Sequence, residues 1–332
     1  MATFSKVRNA RSRSGGFVEI DSAKSKSETG YQEQSYFPAV ETHLIRSKHV
    51  PQSFRIQVMQ PPRQRGEIRR YPVIYVTDGN AVFDMFKGIS WVMQQSEREA
   101  PPFVLVAIGY PSDSPVAGGR LRGRDLTFPG CPNYFSGHEE LARWEELLAP
   151  EAGTADFCGA EHFQRFLGEE LIPFIDERYD TVPDDRTYFG HSVGGGFGLY
   201  TLFTLSRLFR NYICSSPTVV YNGVTPSGTR YENHDFMLQR AREFIAGGRS
   251  LNGVRLYLSV GTEEEFEPLI ANWQFVSGFY RMVALLRRAA IPGLTLMAEA
   301  AHGETHTTVW PIAFMRGVQA ILGTRRVSSG NQ

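Results

Sequence analysis

The segment Gly190–Gly194 holds a serine, Ser192, between two glycines that each lie two residues away from it. This Gly-x-Ser-x-Gly spacing is typical of a nucleophile elbow, in which a serine occupies a sharp turn between a strand and a helix. The glycines lack the Cβ atoms that would clash in so tight a bend, and the serine hydroxyl stays exposed. We therefore take Ser192 as a candidate nucleophile; the alternative is a glycine-rich turn that packs a helix on a sheet.

A serine hydroxyl becomes a useful nucleophile only when a base lies within hydrogen-bond reach. His306 follows the last predicted strand and immediately precedes a predicted helix. His302 lies closer to that strand, so we favour His306 as the base. His191, beside the serine, is expected to pack into the elbow.

The base in turn needs a carboxylate that orients it, and this acid is expected between the serine and the histidine in chain order. Four carboxylates lie in the segment Gly261–Glu267, just past a predicted strand. We favour Glu264, three residues past the glycine, over Glu263 and Glu265. The alternative is that these acids only favour the N-terminus of the following helix.

Acyl transfer also needs backbone N–H donors for the oxyanion. One donor is expected from Val193, the residue after the nucleophile. The other is expected from the loop Asp78-Gly79-Asn80 after the third predicted strand. Gly79 would let the backbone approach the substrate, and Asn80 would donate its N–H.

Apolar runs alternate with helical patterns along most of the chain, and this alternation predicts an α/β fold with a mostly parallel sheet. The predicted strands cover residues 40–47, 53–60, 71–77, 103–110, 187–191, 212–216, 254–260 and 294–299. The predicted helices cover residues 82–97, 160–179, 193–209, 267–290 and 309–322, and a further helix is predicted within residues 231–247.

The same patterns predict how the chain is divided. Residues 1–35 are rich in Ser, Lys and Arg and predict a flexible arm, residues 36–326 a single domain, and residues 327–332 a flexible tail. Residues 112–158 interrupt the rhythm and predict an inserted cap or lid that lines the pocket.

Three residues near the predicted pocket are candidates for substrate contacts. Arg122 and Arg124 lie in the inserted segment, where guanidinium groups can bind an anionic group. The alternative is an internal salt bridge to Asp125. Trp310, close to His306 in sequence, is expected to border the site.

Composition excludes several classes of protein. The formal net charge of zero argues against a general nucleic-acid binder, and no run of about 18 apolar residues predicts a membrane span. No zinc-ligand spacing, P-loop or dinucleotide fingerprint is present, so we expect neither metal nor cofactor. The three cysteines are too sparse for a disulfide framework, which favours a cytoplasmic location.

Five segments, in order, resemble the esterase D-type α/β hydrolases, a branch that includes the ferric-enterobactin and bacillibactin esterases. They are Tyr71–Phe83, Ala107–Pro111, Arg124–Thr127, Gly190–Gly195 and Gly303–Pro311. The resemblance covers about residues 38–324. It implies an α/β-hydrolase fold with helices on both faces of the sheet and an inserted cap. Phe128 departs from the pattern, because family members often have proline there.

The resemblance also implies roles for the site residues: Ser192 as nucleophile, His306 as base, and Asn80 and Val193 as oxyanion donors. Glu264 is implied as the acid at a position where members vary, and some members use a Ser–His pair.

The residues and the resemblance together favour a cofactor-free serine esterase that forms an acyl-serine on a small-molecule carboxylic ester, of siderophore type or from another secondary metabolite. An acyltransferase or thioesterase that uses the same intermediate is the first alternative. A non-catalytic binding protein on a hydrolase scaffold is the second. The sequence leaves open whether the chain forms a homodimer.

Overall fold

The computed structural model describes residues 39–61, 70–96, 99–111, 115–132, 158–205, 207–225 and 228–323, with residues 115–118 as backbone only. These residues belong to one compact unit, residues 37–332. The predicted arm, residues 133–157 of the predicted cap and the predicted tail lie outside the described residues. The division of the chain into arm, domain, cap and tail therefore stays a prediction.

The described chain contains one large sheet and one small hairpin. The strands are β1 Val40–Arg46, β2 Ser53–Met59, β3 Tyr71–Val76, β4 Val104–Gly109, β5 Thr181–His191, β6 Asn211–Ser215, β7 Tyr221–Val224, β8 Arg230–His234, β9 Val254–Gly261 and β10 Leu294–Ala301. The large sheet has the order β1-β2-β4-β3-β5-β6-β9-β10, and β7 pairs with β8. Strands β4, β3, β5, β6, β9 and β10 run parallel, whereas β2 is antiparallel to both of its neighbours, β1 and β4.

The burial of the central strands on both faces explains why their sequences are continuous apolar runs. Every residue of β4 and β6 is buried, as are the last five residues of β5. A strand covered on both faces has no position for a solvent-facing polar residue. The edge strand β1 instead alternates between half-buried and exposed positions.

The helices of the described chain follow the predicted alternation. They are α1 Gly79–Met93, α2 Pro115–Leu126, α3 Ala160–Arg165, α4 Ile172–Arg178, α5 Val193–Thr204, α6 Phe236–Ala246, α7 Phe275–Ala289 and α8 Val309–Leu322. A π-helical segment, Phe166–Leu171, joins α3 to α4, and two 3₁₀ turns, Glu264–Phe266 and Ala271–Trp273, precede α7.

Neighbouring residues of β5 show that helices cover both faces of the sheet. The Phe189 ring contacts Phe86 of α1 and Phe314 of α8, with ring centroids 5.1 and 5.4 Å apart. Tyr188 points to the opposite face and contacts Phe197 of α5 at 5.7 Å. Side chains alternate between the faces of a strand, so two separate apolar clusters form. The predicted α/β class, with a mostly parallel sheet and helices on both faces, is confirmed, whereas the inserted cap stays a prediction.

The predicted elements differ from the structure in several places. The helix predicted over residues 267–290 begins only at Phe275, because Gln274 is left-handed (φ 44°) and Pro268 disfavours a helix before it. The helix predicted within residues 231–247 is Phe236–Ala246, and the residues before it pair in the β7–β8 hairpin. Part of the predicted irregular segment is the helix Pro115–Leu126, whose glycines obscure any helical pattern.

Close packing of α8 on the sheet yields a stability prediction. A Cβ on Gly317 would lie 2.5 Å from Cγ2 of the buried Ile213, whose β-branched side chain cannot easily move. Overpacking costs about 1–3 kcal/mol, which should exceed the gain of about 1 kcal/mol in helix propensity. We expect Gly317→Ala to lower the free energy of unfolding measured in urea.

Gly88→Ala in α1 is the matched control, because an added Cβ there would have no neighbour within 4 Å. We expect it to raise the free energy of unfolding by about 0.5–1 kcal/mol. Equal effects of the two substitutions would contradict the packing described for α8.

Candidate active site

The predicted elbow has the backbone geometry that its spacing requires. Ser192 lies between β5 and α5 with φ 60° and ψ −120°, and its side chain is partly exposed. A Cβ on Gly190 would lie 2.3 Å from the carbonyl oxygen of Gly194, and a Cβ on Gly194 would lie 2.8 Å from Oγ1 of Thr77. The bend itself therefore requires Gly190, whereas the close approach of the segment after β3 requires Gly194.

A buried carboxylate holds the candidate base. Nδ1 of His306 lies 2.7 Å from Oε2 of Glu264, which is fully buried. Oε1 of Glu264 accepts hydrogen bonds from the Ser216 hydroxyl at 2.5 Å and the Gly261 N–H at 2.6 Å. With Nδ1–H donated to the carboxylate, Nε2 is the ring nitrogen left to accept a proton.

The two neighbouring glutamates point elsewhere. Oε1 of Glu263 accepts from the Thr262 hydroxyl at 3.1 Å, and Oε1 of Glu265 accepts the N–H of Ser277 in the first turn of α7. Capping the next helix, the alternative raised for all these acids, therefore applies to Glu265. The structure brings Glu264 to the histidine.

His306 lies against the elbow. Its ring centroid is 4.4 Å from that of His191, the residue before Ser192, and 4.5 Å from that of Phe275. The backbone N–H of His306 donates to Oε1 of Glu267 at 2.6 Å, which fixes the loop that carries the ring. His302 is exposed in the turn after β10.

His191 packs into the elbow, as expected, and it also supports the candidate base. It is 2 % exposed, its ring stacks on Trp310 with centroids 4.5 Å apart, and its Nδ1 lies 3.0 Å from the Ser215 hydroxyl. Burial lowers the pKa of His191 well below its usual value, and the nearby His306 and Arg122 lower that pKa further. Trp310 thus borders the site through His191.

The predicted oxyanion donors lie at the starts of two helices on adjacent strands. Val193 is the first residue of α5 after β5, and Asn80 is the second residue of α1 after β3. The N-terminus of a helix favours negative charge. The Asn80 side chain is bound to the backbone of Tyr110, with Oδ1 accepting at 2.6 Å and Nδ2 donating at 3.0 Å. A Cβ on Gly79 would lie 3.0 Å from the Ile108 backbone.

The two candidate arginines both bind protein groups in the structure. Arg124 is buried and forms two hydrogen bonds with Asp125, at 2.7 and 3.1 Å, the internal alternative named above. Arg122 donates through Nε to Oδ1 of Asp78 at 2.5 Å and through Nη2 to the carbonyl oxygen of His191 at 2.9 Å. The partners of Arg122 lie 44 and 69 residues away from it, and no spacing in the sequence indicated them.

The described residues offer no centre for a metal ion, since none of their His, Cys, Asp and Glu side chains form a group of three or more that could hold one. Within the same residues, no helix has the length and apolar character needed to cross a membrane.

A mostly parallel sheet with a sharp serine turn after β5 and a histidine–carboxylate pair after its last two strands defines the α/β-hydrolase class. Residues 132–320, over half of the chain, match the Esterase family, described as "Putative esterase". The chain belongs to this family.

Named relatives agree with this class. The chain is 28% identical over 293 residues to ferri-bacillibactin esterase BesA of Bacillus subtilis (strain 168), covering 86% of this chain and 90% of BesA. It is 32% identical over 200 residues to the siderophore enterobactin esterase of Emericella nidulans, covering 58% of each chain. The BES protein from Bacillus cereus shares the fold with a TM-score of 0.67 at 24% identity, over 94% of this chain and 100% of that one. The protein is an ester-cleaving serine hydrolase.

The buried imidazole yields a prediction on pH dependence. In the unfolded chain His191 takes up a proton near pH 6.5, whereas in the folded protein its lowered pKa keeps it neutral. The stability from this difference is present above about pH 6.5 and is lost as the pH falls. Between about pH 6 and 5, we expect the free energy of unfolding to fall faster with decreasing pH in the wild type than in His191→Gln. The difference between the two slopes should be about 1.4 kcal/mol per pH unit. Parallel urea-unfolding profiles would contradict this.

Proposed function

We propose that Ser192, His306 and Glu264 act as the catalytic triad of this esterase. The observation that carries the proposal is the 2.7 Å hydrogen bond between His306 and a fully buried Glu264, beside the serine turn. A carboxylate held this firmly fixes the tautomer and orientation of the imidazole.

The mechanism follows from these positions. His306 Nε2 takes the hydroxyl proton of Ser192 as Oγ attacks the ester carbonyl carbon, and Glu264 stabilises the imidazolium. The N–H groups of Val193 and Asn80 bind the oxyanion of the tetrahedral intermediate. His306 then gives the proton to the departing alcohol, which leaves an acyl-serine. Water, activated by the same imidazole, releases the acid and restores the serine.

The substrate that we propose is an ester of a siderophore or a similar secondary metabolite. The names of two relatives support it, one a ferri-bacillibactin esterase and the other a siderophore enterobactin esterase. A comparison of hydrolysis rates between p-nitrophenyl esters of graded chain length and a catecholate trilactone tests this. A preference for simple aliphatic esters, with no cleavage of the trilactone, would count against a siderophore of this kind.

We also propose that the protein works in a reducing compartment, the cytoplasm. The support is that the three cysteines, Cys131, Cys158 and Cys214, are all free thiols. Fractionation of the native host followed by immunodetection tests the location.

Ser192→Ala should abolish labelling by a fluorophosphonate probe and remove ester hydrolysis. His306→Ala should lower kcat by about 10³-fold or more, since general-base activation is lost, whereas His302→Ala should have little effect. Steady-state kinetics on a p-nitrophenyl ester measures both. If His302→Ala proves the more damaging change, the assignment of the base is wrong.

Product analysis with an added alcohol acceptor separates hydrolysis from acyl transfer.

Glu264→Gln should lower kcat by about 10²–10⁴-fold, because an amide N–H facing Nδ1 favours the wrong imidazole tautomer. Glu263→Gln is the matched control, one residue away and with a side chain that accepts from the neighbouring Thr262 hydroxyl, and we expect kcat within about threefold of wild type. Mild and equal effects would indicate a Ser–His pair without an essential acid.

A further inference from the structure

We propose that Arg122 is a positioning residue that ties together the two backbone segments of the oxyanion hole and neutralises a carboxylate behind it. This role depends on the proposed function, because it concerns the donors Val193 and Asn80. It replaces the expectation that Arg122 contacts the substrate.

A single guanidinium group bridges the two segments. Its Nε donates to Oδ1 of Asp78, two residues before Asn80, and its Nη2 donates to the carbonyl oxygen of His191, two residues before Val193. The N–H groups of Asn80 and Val193 therefore belong to two backbone segments whose separation is fixed by one planar, rigid guanidinium group. An oxyanion hole works only when its donors are preorganised, so this separation bears directly on the transition state.

The second part of the role is electrostatic. The side chain of Asp78 is 7% exposed, and its Oδ2 is buried without a hydrogen-bond partner in the described part of the chain. A Cβ placed on Gly194, in the first turn of α5, would lie 3.5 Å from Oδ2, so the carboxylate lies directly behind the elbow. An unneutralised carboxylate there would repel the negative charge that develops on the substrate oxygen. In the described part of the chain, Asp78 forms a salt bridge with Arg122, and the positive charge of this arginine compensates the carboxylate.

The bridge also explains why Arg122 is a poor substrate ligand. Its side chain is 18% exposed, and two of its guanidinium nitrogens, Nε and Nη2, already donate to protein oxygens. A lysine could pair with Asp78 as a point charge, but its ammonium lacks the planar fork that reaches both acceptors at once.

The test compares Arg122→Met and Arg122→Lys with wild type on a neutral p-nitrophenyl ester. We expect Arg122→Met to lower kcat by about 10²-fold, of the order found when one oxyanion donor is lost, with KM within about threefold. The rate of Ser192 labelling by a fluorophosphonate should fall in parallel. Arg122→Lys should retain more kcat than Met but stay below wild type.

Asp78→Asn provides the decisive second variant. Added to Arg122→Met, it removes the uncompensated carboxylate, so we expect kcat to recover by about tenfold relative to Arg122→Met alone. It also removes the buried unpaired charge, so this double variant remains testable if Arg122→Met does not fold.

Arg186→Met is the matched control, because Arg186 is 19% exposed and pairs with Asp176 near the other end of β5. We expect its kcat to stay near wild type once circular dichroism shows that it is folded. An equal loss in Arg186→Met would mean that general destabilisation explains the result. A rise in KM with unchanged kcat in Arg122→Met would assign Arg122 to substrate binding. Failure of wild-type Ser192 to label would overturn the proposed function, and with it this role.

Discussion

The site depends on one fully buried carboxylate, that of Glu264. Burying a charge is costly unless hydrogen bonds replace the lost water. Here three donors do so: the Gly261 N–H at the end of β9, the Ser216 hydroxyl after β6 and Nδ1 of His306 after β10. These strands are neighbours in the sheet, so the pairing β6-β9-β10 brings all three donors to one carboxylate. A shift of β6 or β10 relative to β9 would remove one of the three donors, and the register of the sheet and the geometry of the site are thus coupled.

The same logic explains how the strained turn at Ser192 persists. A non-glycine residue at φ 60° costs about 1–3 kcal/mol and survives only where its surroundings over-determine it. The N–H of Ser192 donates to Ser215, and its carbonyl oxygen accepts from Gly196 and Thr218. The helix that follows is almost entirely buried. Strand pairing on one side and helix packing on the other therefore hold the hydroxyl at the sheet edge.

The sequence was informative where chemistry is tied to a local pattern or to the end of a strand. The glycine spacing predicts the bend at Ser192, and chain order favours Glu264 and His306, which the structure brings together. The bridge made by Arg122 could not be predicted, because its partners lie 44 and 69 residues away and no spacing rule links them. The start of α7 was missed for a local reason: a left-handed Gln274 is not a residue that signals a helix start.

Two adjacent imidazoles with opposite surroundings show how the fold separates packing from proton transfer. His191 and His306 have ring centroids 4.4 Å apart, so two positive charges there would repel strongly. His191 is sealed beneath Trp310, and its lowered pKa keeps it neutral. His306 instead faces a buried carboxylate that can balance a positive charge on its ring. In the proposed mechanism, the proton that leaves the serine hydroxyl therefore goes to His306, and the neighbouring neutral ring packs against that imidazole without competing for the charge.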